Sequence, residues 1–489
     1  MISKSLLKNS LFNLLGLGTP LVVAVFAIPR LIHLLGTERF GILTLIWVVV
    51  SYASLFDLGL GRAVTQQLSL RLAYADNNGS ALVWTALLAL SGLGMVGGGV
   101  LYFLSPWLVR SILHLKGNLG LDTIHAFYVL ALSLPFVIAT DSVRGVLESH
   151  RAFHVVNTVR IPMGVFTFLG PLLALYAHNS LTMIAYFLAG GKILNFIIYL
   201  WACFKLMPSL KEKIYFEKSL VSTLFRIGGW TTVSNIISPL MGYLDRFFIA
   251  GISLVALTYY VTPNEMITKL WLIPGAITAV FFPEFARLFV SDTNQLQLLF
   301  TQCIKYIFLI LFPVAFVAIC FANNILSLWL GNDFSEASYR LLQWFALGVL
   351  INSLAQVPFS LVQARGDSHL IAKVHLFELP FYVGALWLGS KLGSIEIMAV
   401  VWFGRMVIDA ILMYILAYRF LPFIFPKNII NLGASVLALF VASYFLQPMI
   451  LKLGILVIGI ALVYNLMWKY HLSYAEKEPI LRYCQRFKV

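Results

Sequence analysis

Charge is what this chain has least of: Lys, Arg, Asp and Glu make up 11% of its 489 residues, where an ordinary soluble domain carries about a quarter. That scarcity, set beside 60% hydrophobic residues, excludes a soluble protein. Cysteine is equally sparse, and Cys203, Cys303, Cys320 and Cys484 show no paired spacing. Neither a disulfide framework nor a thiolate metal site is indicated. The histidines, His33, His114 and His125 among them, have no metal-ligand spacing, and no GxSxG elbow or phosphate-cradling glycine loop occurs. No outer loop is long enough to house an acceptor site. An enzyme is therefore not expected.

What is present is a succession of apolar runs, each long enough to cross a hydrocarbon core of roughly 30 Å as a helix of about 20 residues. They recur from Leu11 almost to Tyr470. In lipid a spanning backbone must satisfy its own hydrogen bonds, so helices are expected rather than strands. The expected spans are 10–35, 41–60, 79–104, 122–146, 154–177, 181–205, 224–249, 253–283, 299–322, 338–364, 370–390, 394–418, 428–446 and 452–469. The first follows Lys4 and Lys8 but is too long for a signal-peptide core and lacks a clear cleavage site. Prolines inside the runs, including Pro20, Pro135, Pro239, Pro263, Pro274 and Pro380, predict kinks that neighbouring helices must accommodate.

A formal net charge of +14 would suit nucleic acid only if the basic residues shared one face. They sit instead in short loops, so no nucleic acid is expected as a partner. Most of the loop Lys and Arg fall on the side of the N-terminus, above all Lys205, Lys211, Lys213, Lys218 and Arg226, and Lys469, Lys477, Arg482, Arg486 and Lys488. The positive-inside rule then places both termini in the cytoplasm and makes the span count even. Residues 63–75 alternate at helical spacing and read equally as a surface-lying amphipathic helix or a solvated loop helix.

The chain also repeats itself. Gly16 and Gly229, Arg160 and Lys373, and Lys192 and Arg405 share one offset of 213 residues. This implies two six-helix halves of like orientation, related by an axis along the membrane normal. The expected division is 1–207 for the first bundle, 208–223 for a cytoplasmic linker, 224–420 for the second bundle, and 421–489 for two further helices and a basic tail.

Ionisable residues inside a membrane are costly and mark function by default. Arg30, Arg160, Lys192, Arg246, Lys269, Lys305 and Arg405 fall within the expected spans, Arg160 and Lys305 close enough to the inner ends to snorkel. Glu265 and Lys269, and Arg405 and Asp409, stand four apart and could pair along one helix. Arg30 and Lys192 have no local counter-ion. Unpaired cations in a cavity suit an anion such as a pyrophosphate, which accepts charge-assisted hydrogen bonds from several donors. Arg30, Arg246, Lys269, Lys192 and Arg405 are thus the substrate-binding candidates. Asp57, Asp245, Glu265, Glu378 and Asp409 are the candidates for coupling to a proton or sodium gradient, or for plain helix-to-helix hydrogen bonding. No other cofactor is expected.

Two segments of the N-terminal third, GTERFGILTL from Gly36 to Leu45 and FDLGLGRAV from Phe56 to Val64, resemble the polysaccharide export flippases. So does LDRFFIAG from Leu244 to Gly251 with Tyr259-Tyr260 after it. That family includes O-antigen, capsule and teichoic-acid flippases and sits in one superfamily with the multidrug and toxin extrusion transporters and the lipid II flippases. The resemblance implies an all-α integral membrane protein of about fourteen transmembrane helices, two six-helix bundles in a V-shaped arrangement plus two C-terminal helices. It implies outward carriage of an undecaprenyl-pyrophosphate-linked oligosaccharide across a bacterial inner membrane by alternating access. Arg30 and Arg246 would meet the pyrophosphate, with Lys269 a third contact; the partners would be that substrate, membrane lipids and a polysaccharide polymerase or assembly machinery. The alternatives are a multidrug or cation antiporter of the same superfamily, whose cavity should be rich in carboxylates, and a membrane-embedded glycosyltransferase, which needs an exposed acid pair.

The loop charges make a direct prediction. A reporter active only in the cytoplasm and fused after Val489 should be active, and a fusion active only on the outer side would overturn the topology.

Overall fold

A computed structural model describes residues 4–52, 60, 64–65, 67–68, 79–150, 152–422, 429–445, 448–471 and 477. Among these there is no strand. The helices are α1 (Lys4–Tyr52), α2 (Gly79–Trp107), α3 (Gly117–Ser149), α4 (Phe153–Ala177), α5 (Leu181–Leu206), α6 (Lys218–Ile252), α7 (Leu254–Thr268) and α8 (Leu272–Ser291). They continue with α9 (Thr293–Cys320), α10 (Ala322–Leu330), α11 (Asn332–Ala364), α12 (Ser368–Lys391), α13 (Ile395–Tyr418), α14 (Ile429–Phe445) and α15 (Met449–Leu466). Eleven stretches among the described residues are long and apolar enough to cross a bilayer. The chain is an all-α, multi-pass membrane protein. Of the fourteen expected spans, the second and the thirteenth run partly over residues outside the described set, as do most of Phe56–Val64, most of 63–75, and Cys484.

The first two expected spans form one helix with a break. Gly36 sits at φ +74°, ψ 164°, a backbone region open to glycine and costly for other residues, so α1 turns there into two arms.

The chain divides into two compact units, Met1–Thr258 and Tyr259–Val489. Within the first unit, the segment after α5 is tied to α2: Trp84 Nε1 donates to the Leu210 carbonyl at 3.0 Å, Ser80 Oγ to that of Ser209 at 3.3 Å, and the Glu217 N–H to Thr85 Oγ1 at 3.0 Å. The internal repeat recurs in the helix starts. Gly79, Gly117, Phe153 and Leu181 open α2 to α5, and Thr293, Asn332, Ser368 and Ile395, each 214 or 215 residues later, open α9, α11, α12 and α13. The last pair even share a cap: Ser180 accepts from the Met183 N–H, and Ser394 from the Ile397 N–H.

Proline organises the packing. Without an N–H it strands the carbonyl four residues before it, and hydrocarbon offers no water to replace the lost donor. At four prolines a neighbouring helix covers that carbonyl. Pro263 frees the Tyr259 carbonyl, which accepts from Ser338 Oγ of α11 at 3.0 Å. Pro313 frees that of Leu309, which accepts from Tyr464 of α15 at 2.7 Å. Pro358 frees that of Leu354, which accepts from Tyr414 of α13 at 3.2 Å. In the first unit, Pro135 frees the Ala131 carbonyl, and the bare backbone of Gly98 on α2 packs so tightly on it that a Cβ there would stand 2.5 Å from the oxygen. Small residues let membrane helices approach to this degree. Apolar side chains fill what remains, as in the stack of Phe308, Phe312 and Phe316 along α9 at 5.3 Å intervals.

These contacts predict a coupling. Tyr464→Phe should lower stability by about 1 kcal/mol, the scale of a side-chain hydrogen bond in lipid, and should cost almost nothing in a Pro313→Ala background, where residue 313 supplies the donor itself. Thermal unfolding of the four proteins in detergent measures this, and equal penalties in both backgrounds would refute it.

Candidate functional site

The least expected group of polar side chains lies inside the second unit. His375 and Glu378 stand one turn apart on α12, and Asp409 faces them from α13. All three are buried, at 4%, 4% and 7% exposure. One ligating atom from each lies within 4.8 Å of the others, the one such trio of His, Cys, Asp and Glu among the described residues. His375 Nε2 is 3.3 Å from Asp409 Oδ1, and Asn352 of α11 donates to Asp409 Oδ2 at 3.1 Å. Both oxygens of Glu378 and His375 Nδ1 are buried without a hydrogen-bond partner. Buried polar atoms rarely stay so, because each forfeits its hydration.

The spacing of Arg405 and Asp409 suggested an ion pair along α13, and the structure differs. Asp409 turns to His375 and Asn352, while the Arg405 guanidinium lies over the Tyr382 ring at 5.3 Å, within electrostatic reach of Glu378. On an isolated helix the pair four apart would form; here His375 of α12 and Asn352 of α11 occupy Asp409, and the Tyr382 ring of α12 lies against Arg405.

Lys192 holds the corresponding place in the first unit, eleven residues beyond Leu181 as Arg405 is ten beyond Ile395. Asp141 of α3 lies within electrostatic reach of it and is itself bonded to Arg144 at 2.8 Å. Arg144 also reaches Glu148 at 3.5 Å. Sequence reasoning passed over Asp141 and Arg144, although the spacing of 141, 144 and 148 marks one helix face.

Arg30 and Arg246 each stand six residues before the end of a helical arm, at Gly36 and at Ile252. Arg30 is exposed and pairs with nothing among the described residues. Arg246 is buried with its guanidinium 4.2 Å from the Tyr243 ring centre, beside Asp245, whose carboxylate accepts from the Arg246 backbone N–H at 2.8 Å. Lys269 is ion-paired to Glu265 at 2.8 Å, as their spacing predicts. Asp57 lies outside the described residues.

The GTERFG motif builds a corner. Beyond the turn at Gly36, Arg39 donates to Asn179 Oδ1 at 2.9 Å and reaches Asp122 at 3.4 Å. Asp122 in turn accepts from the Leu181 and Thr182 N–H groups at 2.7 and 3.1 Å and from Thr182 Oγ1 at 2.6 Å. It caps α5 from another helix. Gly41 meets the Leu254 carbonyl, which a Cβ would approach to 2.4 Å, and Thr258 Oγ1 donates to the Thr37 carbonyl at 2.6 Å. A pocket of about 720 Å³ opens beside Arg39, Asn118 and Asp122.

Three comparisons bear on this arrangement. The profile of a family described as polysaccharide biosynthesis protein matches residues 31–339. A putative O-antigen transporter of Shigella flexneri is 30% identical over 413 residues, which cover 84% of this chain and 97% of that protein. Among solved structures, the lipid II flippase MurJ in an inward closed conformation superposes with a TM-score of 0.69 at 11% identity, over 94% of this chain and 99% of that one. An inward-facing multidrug resistance MATE family transporter of the MOP superfamily gives 0.67 at 14% identity, over 83% and 97%. At such identities the two structures share the fold with this chain.

The corner supports a stability test. Asp122→Ala strands the Leu181 and Thr182 N–H groups that Ser180 does not serve and should cost about 2 kcal/mol, whereas Arg39→Ala, which removes a half-exposed partner, should cost about 1 kcal/mol or less. Melting of the purified variants decides it, and an Asp122→Ala protein as stable as the parent would show the cap to be idle.

Proposed function

We propose, from the premise that the chain belongs to the polysaccharide biosynthesis protein family, that it is a flippase carrying a lipid-linked oligosaccharide across the bacterial inner membrane. The observation that carries this reading is the identity, along 84% of the chain, with a protein named as a putative O-antigen transporter. The substrate class is an undecaprenyl-pyrophosphate-linked saccharide destined for a surface polysaccharide. Transport proceeds by alternating access, and both termini lie in the cytoplasm. The chain moves its substrate and makes no bond in it; a polysaccharide polymerase takes the product on the far side.

The pyrophosphate is the part of such a substrate that a membrane protein must neutralise. Arg30 and Arg246 suit that task best. They hold matched positions on their helical arms, and a guanidinium grips phosphate oxygens bidentately where an ammonium offers a point charge. The Tyr243 ring lies against the Arg246 guanidinium at 4.2 Å. Lys269 is weaker as a contact because Glu265 already takes its charge. Lys192 and Arg405 stand within electrostatic reach of acids on adjacent helices and serve the substrate less directly.

The test uses the full-length protein in proteoliposomes loaded on one leaflet with the lipid-linked saccharide. Movement is read by the accessibility of the sugar to an impermeant reagent. Arg30→Ala and Arg246→Ala should each slow movement roughly tenfold or more, the scale of a lost charge-assisted bond, and Arg to Lys should retain a part. A double variant that moves substrate at the parental rate would remove both residues from the site. Efflux of a cationic dye in place of the saccharide would favour the antiporter reading.

A further inference from the structure

The trio of α12 and α13 has a charge imbalance that its own residues leave open. Glu378 and Asp409 bring two negative charges and Arg405 one positive charge, and His375 completes the set. Tyr382 of α12 lies against the Arg405 guanidinium, and Asn352 of α11 gives its amide to Asp409. With a neutral imidazole the sum is a single negative charge at buried positions in membrane-crossing helices. Such a charge is expensive in hydrocarbon.

One added positive charge closes the balance, and the chemistry of the groups selects which. A divalent metal ion would overshoot by one charge. An alkali ion needs a shell of hard oxygen atoms, and here one of three converging groups is an imidazole nitrogen, which suits softer transition metals. A proton needs no shell, and the imidazole and either carboxylate can hold it. The unpartnered atoms, both oxygens of Glu378 and Nδ1 of His375, are the ones that gain a donor or become one when it arrives.

We propose that His375, Glu378 and Asp409 form a one-proton site balanced by Arg405, and that this proton is the coupling ion of transport. The second half rests on the flippase reading; the first half does not. Asn352 holds Asp409 by its second oxygen, which keeps Oδ1 turned toward His375. Proton loss leaves two carboxylates within 4.8 Å of each other with one arginine in electrostatic reach. The deprotonated unit then favours whatever rearrangement admits water or another cation to the trio.

Two measurements on the full-length protein test the two halves. Infrared difference spectra in nanodiscs, taken as pH falls, should show a protonated carboxyl band that Glu378→Gln or Asp409→Asn removes and whose midpoint His375→Gln moves. Spectra of parent and all folded variants that superimpose across the pH range would overturn the site. In proteoliposomes at zero membrane potential, one pH unit across the membrane should shift the steady-state distribution of lipid-linked saccharide by roughly tenfold, the ratio for one coupled proton. A sodium gradient of equal size should leave it unmoved, and Glu378→Gln should abolish the response to pH. Distribution set by sodium, or by neither gradient, would overturn proton coupling. No saccharide movement under any gradient, with the carboxyl band intact, would remove the flippase reading and leave the proton site standing.

Discussion

A proline inside a membrane helix strands a carbonyl, and much of the second unit is arranged around supplying the missing donor. Ser338 serves the Tyr259 carbonyl, Tyr414 that of Leu354, and Tyr464 that of Leu309. Each bond crosses from one helix to another, so each kink also fixes a neighbour. In water these carbonyls would be hydrated and the contacts optional; in lipid the alternative is a bare dipole. The trio depends on the same device. The Tyr414 bond joins α13 to α11 about one turn from Asp409 and Asn352, and so sets the distance across which those two meet.

Charge follows the same rule as the backbone. At matching positions on α5 and α13 the two units carry a cation, and each unit answers it with an acid from the adjacent helix, Asp141 in one case and Glu378 in the other. The solutions are not equivalent. Asp141 is engaged directly by Arg144, while Glu378 has no donor at all. The two units thus share the placement of the positive charge and differ in how the neighbouring acid is bonded.

The membrane class, the helical architecture and the internal repeat were legible because each rests on a pattern along the chain: apolar length, turn residues, and a fixed offset. The turn at Gly36 belongs with them, since a glycine between two apolar runs needs no knowledge of neighbours. The partners across helices were not legible. Asp141 and Lys192 sit on separate helices, as do His375 and Asp409, and spacing along one helix suggested the pairing of Arg405 with Asp409 that α12 displaces. His375 in particular carries no local metal-ligand spacing, because its companions come from one turn away and from another helix. The GTERFG motif shows the converse. It is readable as a signature, yet its residues close a corner through Asp122 and Leu254, so its role here is in folding and says little about cargo.

The bond from Tyr464 to the Leu309 carbonyl also bears on how this chain could have changed length. The last two helices look like an addition to a repeated core, and additions are what gene truncation most readily removes. A chain cut before α15 would keep Pro313 and lose the hydroxyl that covers its kink, so the shortened product would inherit a defect in the middle of α9. At the scale of one such bond, about 1 kcal/mol, the shortened chain would be weakened at α9, and replacing Pro313 would relieve that cost.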